Sequence, residues 1–491
     1  MSDLTEQYPE YSRTAKLDAL RATQYGYLDE QRHIYLDYTG AGLAARSQLR
    51  AHRSRLDGAT FGNPHSENPT SRSATELVER ARRRVLLHLN ASPEDYHVIF
   101  TPNATGAAKL VGESYPFLKT SRLVLTADNH NSLNGLREYA RRAGAKMRYI
   151  PMRPKDLRID TEAVAAALAP PRAWPWRRGQ QQRQRQRQPS SRQRGLFVYP
   201  AQSNFSGVRH PLSWIKLAQD GGYDVLLDAA AYLPTSQLDL SAVNPSFVIV
   251  SWYKVFGFPT GVGCLVARRD ALAKLARPYF AGGTVKAATV AVPWHALASG
   301  EAAFEDGTVN YLSIPDVHVG LDWISSVGMD TIATRVRCLT GWFIDRLLKL
   351  RHSDGRPMVA LYGPADVEAR GGTVAFNFID AQGKAVDERL VAHESSRARI
   401  SLRTGCFCNP GAGEAAFGIA AGTLKPLVGQ NGGASFDDFL RLAQLPTGGA
   451  IRVSFGIAST SSDVDYFIAF ASATYKDRVT TTDGLPPRPG C

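Results

Sequence analysis

The sequence predicts an α/β protein, with a mostly parallel sheet in a large domain and a smaller α+β domain at the carboxyl end. Three observations carry this expectation. Short β-rich runs alternate with helix-like or loop-like stretches between about residues 30 and 300, and such alternation implies a parallel sheet covered on both faces. Several of these runs end in a polar residue at the carboxyl end, the edge at which open parallel sheets bind ligands. A length of 491 residues also leaves room for two or three domains, at roughly 150 residues each.

In chain order, residues 1–30 form a helical leader, and 33–37 is the first strand-like run, ended by the turn Thr39-Gly40-Ala41-Gly42. From 73 to 90 the spacing of Leu77, Val78, Ala81, Val85 and Leu86 is helical, with Ser73 and Glu76 as a capping box. Strands are expected at 97–101, 123–126, 196–199, 225–227 and Phe247–Ser251. The large domain therefore spans 31–330. Residues 170–194, alternating Gln and Arg without an apolar period, interrupt it as a disordered insertion. The small domain spans 331–478, with a helix at 334–350, strands at 374–378 and 451–455, and a closing helix at 463–474. Residues 479–491 are expected to fray.

Composition narrows the function classes. A hydrophobic fraction of 44% with 21% charged residues excludes global disorder. The net charge of +13 suggests a polyanion partner only until the insertion is set aside, because its eight arginines account for all but about +5. A nucleic-acid partner is therefore not expected. No run of about 18 apolar residues and no apolar leader occur, so no membrane association is expected and the cytoplasm is the default. Five cysteines, at 264, 338, 406, 408 and 491, are odd in number and lack metal-knuckle pairing. They suit a reducing compartment, and no metal is expected.

Five sites lie just beyond strand runs. Phe100-Thr101-Pro102-Asn103-Ala104-Thr105-Gly106-Ala107 empties a strand into a small-residue turn and a helix, whose free N–H groups suit a phosphate. His130 follows the second run, Asn204 the third, Asp228 the fourth, and Lys254 follows Phe247–Ser251. Singly, the turn, the histidine and the asparagine each admit a structural role. Lys254 does not, because a lysine ending a run buried on both faces is no ordinary solvated charge. The span from Asp228 to Lys254 fits one crossover and a strand, which brings both to one edge. Together the set has a chemical logic: a desolvated lysine forms an imine with an aldehyde cofactor, a carboxylate keeps a pyridine nitrogen protonated, and a helix N-terminus holds a phosphate.

These residues resemble the fold-type-I pyridoxal-phosphate enzymes of the class V aminotransferase family, which includes the cysteine desulfurases. Within it, the chain resembles the amino-terminal, NifS-like domain of the eukaryotic molybdenum cofactor sulfurases. The resemblance rests on Leu36-Asp37-Tyr38-Thr39-Gly40-Ala41-Gly42, Asn63-Pro64-His65-Ser66, Asp128-Asn129-His130-Asn131-Ser132, Ser251-Trp252-Tyr253-Lys254-Val255-Phe256-Gly257, Phe304-Glu305-Asp306-Gly307-Thr308, Arg403-Thr404-Gly405-Cys406-Phe407-Cys408-Asn409-Pro410-Gly411 and Arg452-Val453-Ser454-Phe455-Gly456. It implies pyridoxal 5′-phosphate bound through Lys254 as a Schiff base, with Asp228 on the pyridine nitrogen, His130 over the ring and Asn204 on the ring hydroxyl. Ala104, Thr105 and Ser251 would hold the phosphate. Gly283 and Thr284 would reach the phosphate of a second subunit in a homodimer. Arg452, with Arg403 nearby, would bind the substrate carboxylate, and Cys408, beside Cys406, would carry a persulfide from a mobile loop.

The implied activity is a cysteine desulfurase-like transfer of sulfur from L-cysteine to an acceptor protein or small molecule. Two departures stand out: Ala231 occupies the place where many desulfurases carry Gln, and Tyr253 precedes the lysine in place of His. The chain also ends soon after this first domain, so a following acceptor domain is not expected. A pyridoxal-phosphate C–S lyase, or another transformation of a cysteine-derived thioether in specialised metabolism, is the alternative. A nucleic-acid tether on a retired fold is a third reading, opposed by the intact Lys254, Asp228 and Arg452.

Overall fold

The computed structural model describes residues 2–170, 194–427, 436–443, 445, 447–486 and 488. Most of the Gln/Arg-rich stretch expected at 170–194 thus lies outside the described residues.

A short strand, β1 (Ile34–Tyr35), opens the large domain. It is followed by β2 (Tyr96–Thr101), β3 (Arg122–Thr126), β4 (Lys146–Ile150), β5 (Gly195–Pro200), β6 (Tyr223–Asp228), β7 (Phe247–Ser251) and β8 (Gly263–Arg268). These seven strands, β2 to β8, form one sheet in the order β2-β8-β7-β6-β5-β3-β4. Six run in one direction, and β8 runs antiparallel to both of its neighbours. Residues 252–262 are too few for the crossover of about a dozen or more residues that a parallel return requires, so the chain turns straight back. Every residue of β5, β6 and β7 is buried. Phe197, Val225, Leu227 and Val248 join one core, while Leu196, Val198, Leu226 and Ile249 join the core on the opposite face. Two-sided burial explains why these strands read as near-continuous apolar runs. β4 escapes that signal because its first four residues are exposed.

The helix expected from 73 starts earlier, at Pro69–His88. The Asn68 side chain accepts from the Ser71 N–H at 2.9 Å, and proline fits the first helical turn. The Ser73–Glu76 pair consequently falls inside the helix and caps nothing.

The chain then forms an antiparallel hairpin, β9 (Val285–Thr289) and β10 (Trp294–Leu297). Beyond it come β11 (Val359–Tyr362), β12 (Thr373–Phe378), β13 (Ile400–Ser401), β14 (Arg403–Gly405) and β15 (Ala450–Ser454). A four-stranded sheet of order β11-β12-β15-β14 carries the carboxyl-terminal part. It packs against the helices Met329–Leu347 and Ser461–Tyr475 through aromatic contacts such as Phe343–Phe376 and Phe378–Tyr475. β1 pairs in parallel with β13, and Asp37 bridges to Ser454, so the start of the large domain is stitched to the small sheet. In the tail, Arg488 pairs with Asp387 at 2.7 Å and with Glu388 at 2.9 Å. No helix among the described residues is long and apolar enough to cross a membrane.

The leader folds as four short helical segments, Ser2–Gln7, Pro9–Thr14, Lys16–Gln24 and Tyr27–Glu30. Arg335 anchors it: fully buried, it donates to the Thr14 hydroxyl and carbonyl and to Asp18, each at 2.7 Å, beneath the Tyr11 ring. Arg335→Met strands those acceptors, and it is expected to cost about 2–3 kcal/mol. Urea unfolding checks this, and an unchanged midpoint would show that the leader contributes nothing to the fold.

Candidate active site

The carboxyl-terminal rim of the large sheet opens into a cavity of about 180 Å³, lined by the segments that follow β2, β3, β5, β6 and β7. Asp228 and Lys254 both line it. Strands β6 and β7 are parallel neighbours, which brings the two residues to one edge as their spacing implied. Lys254 sits in a helical turn, Trp252–Phe256, that continues directly from β7. The Gly42 N–H donates to the Tyr253 carbonyl at 3.0 Å, and a Cβ at Gly42 would lie 2.9 Å from the Lys254 carbonyl oxygen. That close approach explains the glycine in the 39–42 turn.

Burial lowers the Lys254 ammonium below its usual range, against the opposing pull of Asp228. No hydrogen bond holds its Nζ among the described residues. Burial likewise raises the Asp228 carboxyl, which accepts from the Ala230 N–H at 2.9 Å. The site therefore offers an amine that gives up its proton readily and faces a desolvated carboxyl group.

At the far end of the cavity the helix Ala104–Ser114 begins, capped by the Asn103 side chain on the Gly106 N–H. Ser251 Oγ accepts from the Ala104 N–H at 2.9 Å, and the Thr105 and Ser132 hydroxyls lie 2.7 Å apart. Hydroxyls and backbone donors thus gather at the positive end of an eleven-residue helix, a setting suited to a dianionic phosphate.

His130 lines the same cavity and caps the turn Asn131–Asn134. Its Nδ1 accepts from the Ser132 N–H at 3.1 Å, which places the ring proton on Nε2. Burial, helped by Lys254 and Arg452, pushes its pKa down to about 4. An unfolded histidine binds its proton near 6.5, so between those values the unfolded chain holds more protons. The stability His130 contributes is complete above 6.5 and is lost as the pH falls toward 4. Unfolding midpoints from about pH 4 to about pH 7 should fall less steeply on acidification in His130→Gln; identical slopes would contradict a desolvated ring.

The loop expected to be mobile is pinned. Asn204 Nδ2 donates to the Phe407 carbonyl at 2.8 Å, and the Asn131 N–H donates to the Cys408 carbonyl at 2.7 Å. Asn409 donates to the Asp128 carbonyl at 2.7 Å and to Asn204 Oδ1 at 2.9 Å. Phe407 and Cys408 both adopt left-handed backbone, with φ of 55° and 52°, a strained conformation that persists only where surrounding contacts fix it. The backbone of Cys408, whose thiol is free and exposed, is thereby tied to Asn131, the residue after His130.

Arg452 is tied to two distant parts of the chain. It is buried and already committed, with one terminal nitrogen 3.0 Å from Asp37, the other 3.0 Å from the Asn204 carbonyl, and Phe407 beneath its plane. Asp37 also binds Arg403 at 2.8 Å, and that side chain is half exposed. Arg403 is thus the more accessible of the two guanidinium groups, while Arg452 keeps its Nε without a hydrogen-bond partner among the described residues. Gly283 and Thr284 do not line this chain's cavity, and the Thr284 hydroxyl closes its own turn on Ala281. Asp37, Phe407, Asn409 and Gln202 escaped the sequence reasoning, because their partners are remote in the chain.

The chain is 36% identical to the molybdenum cofactor sulfurase of Bos taurus over 96% of its own length, and spans about half, 53%, of that relative. A cysteine desulfurase from Thermococcus onnurineus NA1 shares its fold, with a TM-score of 0.73, 20% identity, and 93% of this chain and 97% of that one covered. A C-DES structure with glycine covalently linked to its PLP cofactor superposes with a TM-score of 0.67 at 15% identity, covering 93% of this chain and 99% of that one. The pattern of the Aminotransferase class-V family matches residues 34–173 and 176–467, and the chain belongs to that family.

Proposed function

We propose that this protein is a cysteine desulfurase-like sulfurtransferase that takes sulfur from L-cysteine onto Cys408 and passes it to an acceptor protein or small molecule. The observation that carries this reading is a cavity lined by Lys254, Asp228 and His130, together with a free, exposed Cys408 whose backbone is tied to Asn131, the residue after His130.

Pyridoxal 5′-phosphate is the cofactor, and the donor set fits it. Lys254 offers an amine without a hydrogen-bond partner among the described residues, Asp228 a buried carboxyl group for the pyridine nitrogen, and Ala104, Thr105 and Ser251 a phosphate cradle. When bound, it draws electrons away from the substrate's α-carbon and so weakens neighbouring bonds. Lys254, its basicity set by burial, accepts and returns the proton at that carbon. His130, neutral and protonated on Nε2, covers the ring without adding charge. Arg403 receives the substrate carboxylate at the cavity mouth, and Arg452 lies behind it.

Cys408 attacks the substrate sulfur as a thiolate. An S–S bond forms, the C–S bond breaks with its electron pair remaining on the β-carbon, and that carbon takes up a proton. The products are alanine and a Cys408 persulfide, so atoms and electrons balance against L-cysteine and one thiol. Discharging and regenerating such a thiol suits the reducing cytoplasm. The reading includes a homodimer in which a second copy brings Gly283 and Thr284 to this cavity. The exposed side chains Tyr279, Phe280, Val290, Val292 and Trp294, on and beside the β9–β10 hairpin, support it.

The test is to incubate the cofactor-loaded protein with L-cysteine and identify the products. Alanine with a protein-bound persulfide is expected. Pyruvate and ammonia would replace this reading with β-elimination.

A further inference from the structure

Gln202 is buried at 3% exposure and lines the cavity wall together with Asn204, Asp228 and Lys254. Its amide is held in one orientation. Arg209 Nε donates to Oε1 at 3.2 Å, and Arg209 is itself fixed over the Tyr232 ring. An amide with its oxygen turned to a guanidinium presents its NH₂ group on the other side. Gly371 makes room for this arrangement, because a Cβ there would lie 2.0 Å from Oε1 and 2.6 Å from Nε2. Nε2 has no hydrogen-bond acceptor among the described residues, which leaves it available to a group bound in the cavity that Gln202 lines.

The neighbouring amide is spent elsewhere. Asn204 uses Nδ2 on the Phe407 carbonyl and Oδ1 on Asn409, so its side chain serves as the latch of the Cys408 loop. Ala231, on the same wall, carries no polar side chain at all. With the phosphate end, the pyridine nitrogen and the aldehyde assigned to other residues, one polar group of the cofactor lacks a counterpart: the ring oxygen, an anionic acceptor. Gln202 is the matching donor. We propose that Gln202 Nε2 carries the hydrogen bond to the cofactor's ring oxygen, with Asn204 retained chiefly to hold the 406–409 loop. The inference rests on the pyridoxal-phosphate reading and adds to it a contact residue and a division of labour between two amides.

A donor to that oxygen stabilises its anionic form, so its loss raises the pH at which the bound cofactor changes colour. Titrating the visible absorbance of pyridoxal 5′-phosphate-loaded Gln202→Leu is expected to show the midpoint shifted up by about one pH unit, with roughly tenfold weaker cofactor binding. Adding Ala231→Gln to Gln202→Leu should restore the midpoint by supplying an amide from the same wall. Should Gln202→Leu fail to fold, Gln202→Glu keeps the shape over Gly371, and its carboxylate should raise the midpoint further. Asn204→Ala should leave the midpoint in place and speed hydrogen exchange at residues 406–409. A wild-type midpoint and affinity in the Gln202 variants overturns the inference while the functional reading stands; a wild-type protein that never takes up the cofactor ends both.

Discussion

Replacing Lys254 with alanine is expected to abolish the visible absorbance of the pyridoxal 5′-phosphate-loaded protein and to cut alanine formation from L-cysteine at least about a thousandfold, within the range assigned to loss of a single proton-transfer group. Two properties of one side chain combine here. The turn Trp252–Phe256 projects the amine from the end of a fully buried strand, so it has no bulk water to stabilise its charge. Burial lowers its proton affinity, while Asp228 and Asp37 raise it and Arg452 and Arg403 lower it further. The balance leaves an amine that gives up its proton more readily than an ordinary lysine and so is able to attack a carbonyl carbon. Lys254→Arg separates these properties from charge alone, because a guanidinium keeps the positive charge yet stays protonated. It should fail as completely as alanine. A Lys254→Ala protein that binds the cofactor with unchanged colour and turns over at a large fraction of the wild-type rate would remove the lysine from the chemistry.

The legibility of Lys254 and Asp228 has a physical origin. Both end strands in which every residue is buried, and a charge placed just after such a run is conspicuous in the sequence. The parallel sheet was legible for the same reason, and so were the two helices that cover the small sheet. β4 was not, because an edge strand with four exposed residues lacks the apolar signal. The reversal of β8 was not read either: its composition matches its neighbours, and only the short connection from β7 betrays its direction.

Within the site, the roles that stayed hidden all depend on distant partners. Asp37 meets Arg403 and Arg452, which lie 366 and 415 residues further along the chain. Asn409 meets Asp128, and Gln202 is shaped by Gly371. No local spacing encodes such pairs. The pairing of Arg452 with Asp37 stayed hidden on the same ground, since that carboxylate comes from the opposite end of the sequence. The hold of Asn204 on the 406–409 loop stayed hidden likewise.

Cys408→Ala is expected to eliminate the protein-bound persulfide altogether and to slow alanine formation by roughly a hundredfold or more, the scale of losing an activated nucleophile. The geometry makes this residue hard to replace. Left-handed backbone at both Phe407 and Cys408 costs on the order of 1–3 kcal/mol for each residue, and the hydrogen bonds from Asn204, Asn131 and Asn409 offset it. The return on that strain is position: the Cys408 backbone is tied to Asn131, the residue after His130, and its thiol lies within electrostatic reach of the Arg452 guanidinium. Water or a small external thiol has no comparable placement. Cys406, two residues earlier in the same loop, is engaged in a disulfide, and Cys406→Ala should retain both the persulfide and most of the rate. If the persulfide instead survives in Cys408→Ala and vanishes in Cys406→Ala, the sulfur is carried by Cys406, and the latch that holds Cys408 serves only to shape the loop.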